Sequence, residues 1–153
     1  MGNSADHDNR WVGWNCPATD EICVNVDGSS RGYPSEAGFD GVLRDSYGTW
    51  LGGFYGSIGN ATNMVAELSA IFFGLISAWE RGHKCIVLCS DSQEAIHLVR
   101  DGHFVVYPHA NLLGDILAML HWDWHVKIIH CLREGNQVVN RLAKMSSHSS
   151  TSF

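Results

Sequence analysis

Two aspartates stand at the ends of strand-like runs, where a buried carboxylate needs a partner. Asp27 closes the stretch 22–27, whose alternation of apolar and polar residues has the period of a half-buried strand. Asp91 closes the apolar stretch 85–90, which is typical of a strand buried on both faces. Such a carboxylate is satisfied by a cation, a hydrogen-bond donor or a metal ion, so metal-assisted chemistry is one role open to both.

Both aspartates also have an ordinary structural explanation. Asp27 precedes Gly28-Ser-Ser and can cap that turn. Asp91 precedes a predicted helix and has Glu94 three residues on, which is the spacing of an N-cap with its capping-box partner. Neither aspartate indicates a functional site by itself, and both explanations stay open at this point.

A third candidate acid, Glu67, lies in the strongest predicted helix, over 60–81. Its edge of the helix also carries Gly74 and Ala78, so this edge can approach a sheet closely and direct the carboxylate into it. The alternative is a solvent-facing glutamate favoured by the helix dipole. The helix signals are Thr62 or Asn63 as cap, Gly82 as end, and an apolar stripe of Met64, Val65, Leu68, Phe72, Leu75 and Trp79.

The order of elements indicates the architecture that would position these acids. Three strands with short links form an antiparallel meander, and α/β crossovers follow it. We predict an α/β fold with a five-stranded mixed sheet, antiparallel in strands one to three and then parallel, with helices on both faces. Right-handed crossovers place Asp27 and Asp91 side by side. The other elements are strands at about 37–44, 49–56 and 125–130, and helices after Asp91, at about 110–121 and from near Asn136.

Five phrases in this order resemble the ribonuclease H domain. They cover residues from about 20 to 145, and two of them look most like plant ribonuclease H-like domains of non-LTR retrotransposons. The phrases are Asp27-Gly-Ser, Ala37-Gly-Phe with Arg44-Asp-x-x-Gly48, Glu67-Leu-x-Ala-Ile, Ser90-Asp-Ser92, and His130-x-x-Arg-Glu-x-Asn-x-x-x-Asn140-Arg-Leu-Ala. The resemblance implies a ribonuclease H-like fold and a hydrolase that cuts the RNA strand of an RNA–DNA hybrid as an endonuclease.

The resemblance also implies two Mg²⁺ ions, for which Mn²⁺ can substitute, held by a dense acidic cluster. By family position, Asp27 bridges both ions, and Glu67 and Asp91 hold the second. Glu67 is also placed near the ribose 2′-hydroxyl, which distinguishes RNA from DNA. His130 matches a histidine that moves protons or assists product release, and its alternative is an ordinary histidine at a strand end.

One departure from the family pattern bears on activity. Asn140 stands where the family has an aspartate; its carbonyl oxygen can coordinate a metal, but it carries no charge. We therefore expect weaker metal binding and reduced activity. The alternative is a catalytically inactive module that binds nucleic acid or a protein partner. A transposase-type nuclease is disfavoured by the phrase near Asn136. A second departure is Asp40, where the family usually has glycine; it could strain its strand or lie on an exposed edge.

Composition limits the remaining possibilities. The 153 residues suffice for one domain, and we expect a flexible N-terminal segment over 1–20, the folded domain over 21–145 and a disordered tail over 146–153. A formal net charge of −6 argues against binding to nucleic acid through bulk positive charge, and 100–109 lacks a basic helical handle. No membrane-spanning run or signal peptide is apparent, and we expect a monomer.

The cysteines bear on the compartment. There are five, an odd number, without C-x-x-C spacing, and we predict that all are reduced and bind no metal. A zinc site built on Cys85 and Cys89 is conceivable, but one pair on a strand is weak evidence. This interpretation predicts an intracellular protein of the nucleus or cytoplasm.

Overall fold

The computed structural model describes residues 16–30, 36–101 and 110–132. A short 3-10 turn at Ala18–Asp20 precedes the first strand. The strands are β1 (Ile22–Ser30), β2 (Glu36–Arg44), β3 (Trp50–Asn60), β4 (Cys85–Ser90) and β5 (His125–His130), and the helices are α1 (Asn63–Glu80), α2 (Gln93–Asp101) and α3 (Ala110–Met119).

The strands form one sheet in the order β3-β2-β1-β4-β5. The pairs β1–β2 and β2–β3 are antiparallel, whereas β1–β4 and β4–β5 are parallel. This confirms the predicted mixed sheet. The central strand β1 lies between the meander and the parallel half, so its carboxyl end is adjacent to both β2 and β4.

Helix α1 begins and ends at the predicted signals. The Thr62 hydroxyl accepts a hydrogen bond from the Val65 N–H at 3.3 Å, and Gly82 follows the helix with a φ of +83°, which glycine adopts without strain. Gly74 lies against β1, where an added Cβ would come within 2.8 Å of the Val26 side chain. The edge of small residues therefore lets the helix approach the sheet closely, as the sequence predicts.

The core fills the space between α1, α3 and the sheet. Its apolar side chains come from all five strands on one side and from the helices on the other, including Ala95, Ile96 and Val99 of α2. The most completely buried of them include Val24, Val26, Leu68, Ile71, Leu75, Ile86, Leu88, Leu113 and Ile116. This packing fixes the position of the N-terminal end of α1 relative to β1.

The prediction that all cysteines are reduced is wrong for two of them. Cys16 and Cys85 form a disulfide with their Cα atoms 5.9 Å apart. Their separation of 69 positions leaves no local spacing from which the pair could be recognised. Cys85 is therefore no zinc ligand, and the thiol argument for an intracellular protein loses part of its basis because disulfides persist mainly in oxidising compartments.

Several expectations concern residues outside the described ranges. They are the N-terminal segment over 1–15, the lack of a basic handle over 102–109, the final helix from near Asn136, and the tail. None of the helices in the described ranges has the length and apolarity needed to cross a membrane.

Candidate active site

The parallel pairing of β1 with β4 brings the two strand-end aspartates together. Val26 lies opposite Ser90 in the register, so Asp27 and Asp91 follow their strands at the same edge of the sheet. Asp27 is almost fully buried at 2% exposure, and Asp91 is half-buried. The parallel pairing of β1 and β4 thus makes Asp27 and Asp91 neighbours, as predicted.

Glu67 reaches the same edge from the first turns of α1. A Cβ on residue 28 would collide with the backbone of Ala66. Because Gly28 has no Cβ, α1 can pack directly against β1 at this point. The Gly28 N–H then donates a hydrogen bond of 3.1 Å to Glu67 Oε1. This contact orients the carboxylate towards the strand ends and rules out a fully solvent-facing Glu67.

Helix α2 is capped by Ser92, and the alternative explanation of Asp91 as its N-cap is not supported. The Ser92 hydroxyl accepts a hydrogen bond from the Ala95 N–H at 3.2 Å, and the Ser92 N–H donates to Ser90 Oγ at 3.1 Å. Because serine supplies the capping oxygen, the Asp91 carboxylate is not needed there.

The three acids form one cluster. One carboxylate oxygen from each of Asp27, Glu67 and Asp91 lies within 4.8 Å of the other two. The cluster opens onto a cavity of about 520 Å³, and none of the described residues lining this cavity is a lysine or arginine. Three hard oxygen donors without a basic side chain among them repel one another and suit a divalent cation such as Mg²⁺. The donor set therefore fits the implied metal ions.

A fourth acid lies beside the cluster. Asp40 pairs directly with Asp27 across β1 and β2, so both side chains lie on the same face of the sheet. Asp40 is completely buried, and neither of its carboxyl oxygens has a hydrogen-bond partner among the described residues. Burial, reinforced by the charge of Asp27, raises the pKa of Asp40 to about 9.

Of the two alternatives for Asp40, strain in its strand or an exposed edge, the exposed edge is wrong. Strand β2 is an interior strand between β3 and β1, so an acid there is enclosed by neighbours on both sides. The sequence marks Asp40 only as a departure from a glycine, and its position beside Asp27 depends on the β1–β2 register. Ser92 is the other residue of the site whose role the sequence does not reveal.

The chain matches a known protein family over most of its length. A family model described as reverse transcriptase-like matches residues 25–146, which is most of the chain. The chain belongs to this family. An Arabidopsis thaliana relative named "Putative ribonuclease H protein" is 36% identical over 144 residues, which are 94% of this chain and 23% of the relative. The chain therefore spans about a quarter of that relative's length.

Solved ribonuclease H domains share the fold of this family member. The N-terminal RNase H domain of a Mycobacterium tuberculosis protein is 26% identical with a TM-score of 0.77, covering 84% of this chain and 94% of that one. RNase H1 of Halobacterium salinarum is 26% identical with a TM-score of 0.72, covering 82% and 96%. LC11-RNase H1, solved in complex with an RNA/DNA hybrid, shares the fold at 24% identity with a TM-score of 0.73, covering 83% and 96%.

The two remaining predicted site residues of this ribonuclease H-like domain differ in what the structure describes. His130 is exposed at the end of β5. It pairs in register with Ser90 of β4, the residue that precedes Asp91. Asn140 lies outside the described residues. The structure thus brings Asp27, Glu67 and Asp91 together and places His130 at the adjacent strand end.

Proposed function

We propose that this domain is a metal-dependent endonuclease that cleaves the RNA strand of RNA–DNA hybrids. The observation that carries the proposal is the cluster of Asp27, Glu67 and Asp91 within 4.8 Å at the mouth of a cavity. Membership of the family and the fold shared with ribonuclease H domains support the same activity. The hybrid bound to LC11-RNase H1 suggests the substrate class.

In this proposal Asp27, Glu67 and Asp91 hold the divalent ions, and Asn140 contributes its carbonyl oxygen. The chemistry that such ions would supply when bound is a more acidic attacking water and stabilisation of the charge on the leaving 3′-oxygen. The rigid strand end at Asp27 and the hydrogen bond from Gly28 to Glu67 orient the ligands before substrate arrives.

The chain's other residues act on the substrate and on protons. The carboxylate of Glu67, which the Gly28 N–H orients, is the group that would accept a hydrogen bond from the ribose 2′-hydroxyl, and this contact would select RNA over DNA. His130 is exposed at the neighbouring strand end, where it can exchange protons between the site and bulk water. A cavity of about 520 Å³ leaves room for the sugar and phosphate beside the acids.

Asn140 is expected to lower the activity. An amide oxygen coordinates a hard cation through a partial charge only, so the ion at that position is held less tightly than by a carboxylate. We expect measurable but reduced cleavage, which rises when the carboxylate is restored.

The test is cleavage of an end-labelled RNA–DNA hybrid by the full chain in Mg²⁺ and in Mn²⁺. The variants are Asp91→Asn, Asn140→Asp and, as a control on the exposed side of α3, Asp115→Asn. We expect native cleavage that Asp91→Asn abolishes, Asn140→Asp increases and Asp115→Asn leaves unchanged.

Two results would redirect the interpretation. If the native chain does not cleave the hybrid and Asn140→Asp does, the site is intact but disabled at one ligand. If neither the native chain nor Asn140→Asp cleaves the hybrid, the proposal is refuted and the inactive module that binds nucleic acid or a protein is favoured. Filter binding of the same labelled hybrid would then test for binding to nucleic acid.

A further inference from the structure

Asp40 is a buried carboxyl group that no protein contact explains. It is fully buried, and neither oxygen has a hydrogen-bond partner among the described residues. Burying a carboxyl group without a partner costs several kcal/mol. Apolar residues or glycine would avoid that cost in an interior strand, so the acid calls for a ligand.

The position of Asp40 indicates which ligand it could serve. Asp40 and Asp27 are direct partners in the antiparallel register, and such partners have Cβ atoms roughly 4.5–5.5 Å apart on one face of the sheet. Two carboxylates that share a face at this spacing can bind one cation between them. Asp27 is itself a member of the acidic cluster.

Charge gives a second reason. The cluster contains three carboxylates, and Asn140 provides no charge at the position where the family resemblance implies a fourth. Divalent affinity at sites built from oxygen ligands increases with the number of charged ligands. Asp40 would return the site to four carboxylates from a different strand.

We propose that Asp40 is a further metal-binding residue, which supplies from β2 the fourth carboxylate that Asn140 does not supply. The inference rests on the proposed function, because Asp40 reaches the divalent-ion site through Asp27, its partner across β1 and β2, and lies outside the set of three acids whose oxygens are within 4.8 Å of one another. Asp40 binds the ion on the side of Asp27 that faces β2, and its carboxylate offsets part of the charge that Asn140 does not supply.

The test is calorimetric titration of the full chain with Mn²⁺ alone, without nucleic acid. Removing one carboxylate ligand by Asp40→Asn should weaken Mn²⁺ binding by on the order of tenfold or more, because the affinity of oxygen sites depends on the number of carboxylate ligands. Adding Asn140→Asp to that variant should restore most of the affinity, because a carboxylate returns to the cluster. Asp115→Asn is the matched control and should bind Mn²⁺ as the native chain does.

The variants separate failure of this inference from failure of the proposed function. If Asp40→Asn binds Mn²⁺ as tightly as the native chain does, Asp40 has no role in metal binding. The same conclusion follows if Asp40→Asn binds Mn²⁺ more weakly and the added Asn140→Asp does not restore the affinity. Neither result affects the cluster of three acids. Asp27→Asn tests the cluster itself: if it also binds Mn²⁺ like the native chain, the metal centre is refuted. Circular dichroism melting of each variant in EDTA confirms that it is folded, so loss of affinity reports on ligands.

Discussion

Replacing Asp40 by asparagine should stabilise the metal-free protein, and the gain should grow with pH. Burial and the charge of Asp27 raise the pKa of Asp40 from 3.8 to about 9, so near neutral pH the folded chain holds a proton there that the unfolded chain releases. The folded state therefore becomes less stable by about 1.4 kcal/mol for each pH unit between these two values. At pH 7 this loss of folding stability is about 4 kcal/mol. Asparagine removes the loss, because it does not titrate and has nearly the same shape as aspartate.

The assay is urea unfolding of the native chain and of Asp40→Asn in EDTA at pH 5, 6, 7 and 8. The difference in the free energy of unfolding between the two proteins isolates Asp40, because every other titrating group is common to both. We expect Asp40→Asn to be more stable, by an amount that increases by about 4 kcal/mol from pH 5 to pH 8. A difference that is independent of pH, or a less stable variant, would refute the reasoning.

Three further predictions concern other contacts. Gly28→Ala should destabilise the protein by about 3 kcal/mol in urea unfolding, because its Cβ would meet the backbone of α1; a loss below about 0.5 kcal/mol would contradict this. The Cys16–Cys85 disulfide links residues that are 69 positions apart in the sequence, so reducing it should lower the free energy of unfolding by about 4 kcal/mol. Identical urea unfolding curves with and without reductant would show that the bond is absent. The hydrogen bond with Cys89 lowers the pKa of Cys23. Alkylation of Cys23 by iodoacetamide, followed by mass spectrometry at a series of pH values, should therefore have a lower midpoint in the native chain than in Cys89→Ala; equal midpoints would refute this.

Periodicity and chain order were sufficient to predict the framework of the site. The period of two before Asp27 and the apolar run before Asp91 locate β1 and β4, and right-handed crossovers make those strands parallel neighbours. The small residues in line with Glu67 predict that α1 approaches the sheet closely, and Gly74 confirms it. These inferences depend on local patterns that one sequence contains in full.

The remaining features depend on tertiary choices between equivalent local patterns. Asp91 and Ser92 are both good capping residues, and only the geometry at the end of β4 decides that Ser92 caps α2. The burial of Asp40 depends on the β1–β2 register, in which a shift of one residue would turn the side chain to the other face. The pairing of Cys16 with Cys85 joins positions with no sequence relation.

A crystal structure of the full chain grown with Mn²⁺, with anomalous diffraction data, tests the central claim most directly. The account predicts an anomalous peak at about 2–2.5 Å from carboxylate oxygens of Asp27, Glu67 and Asp91, the three acids that the fold brings within 4.8 Å of one another. A well-ordered acidic cluster with no anomalous peak in saturating Mn²⁺, or a peak bound only elsewhere, would contradict it.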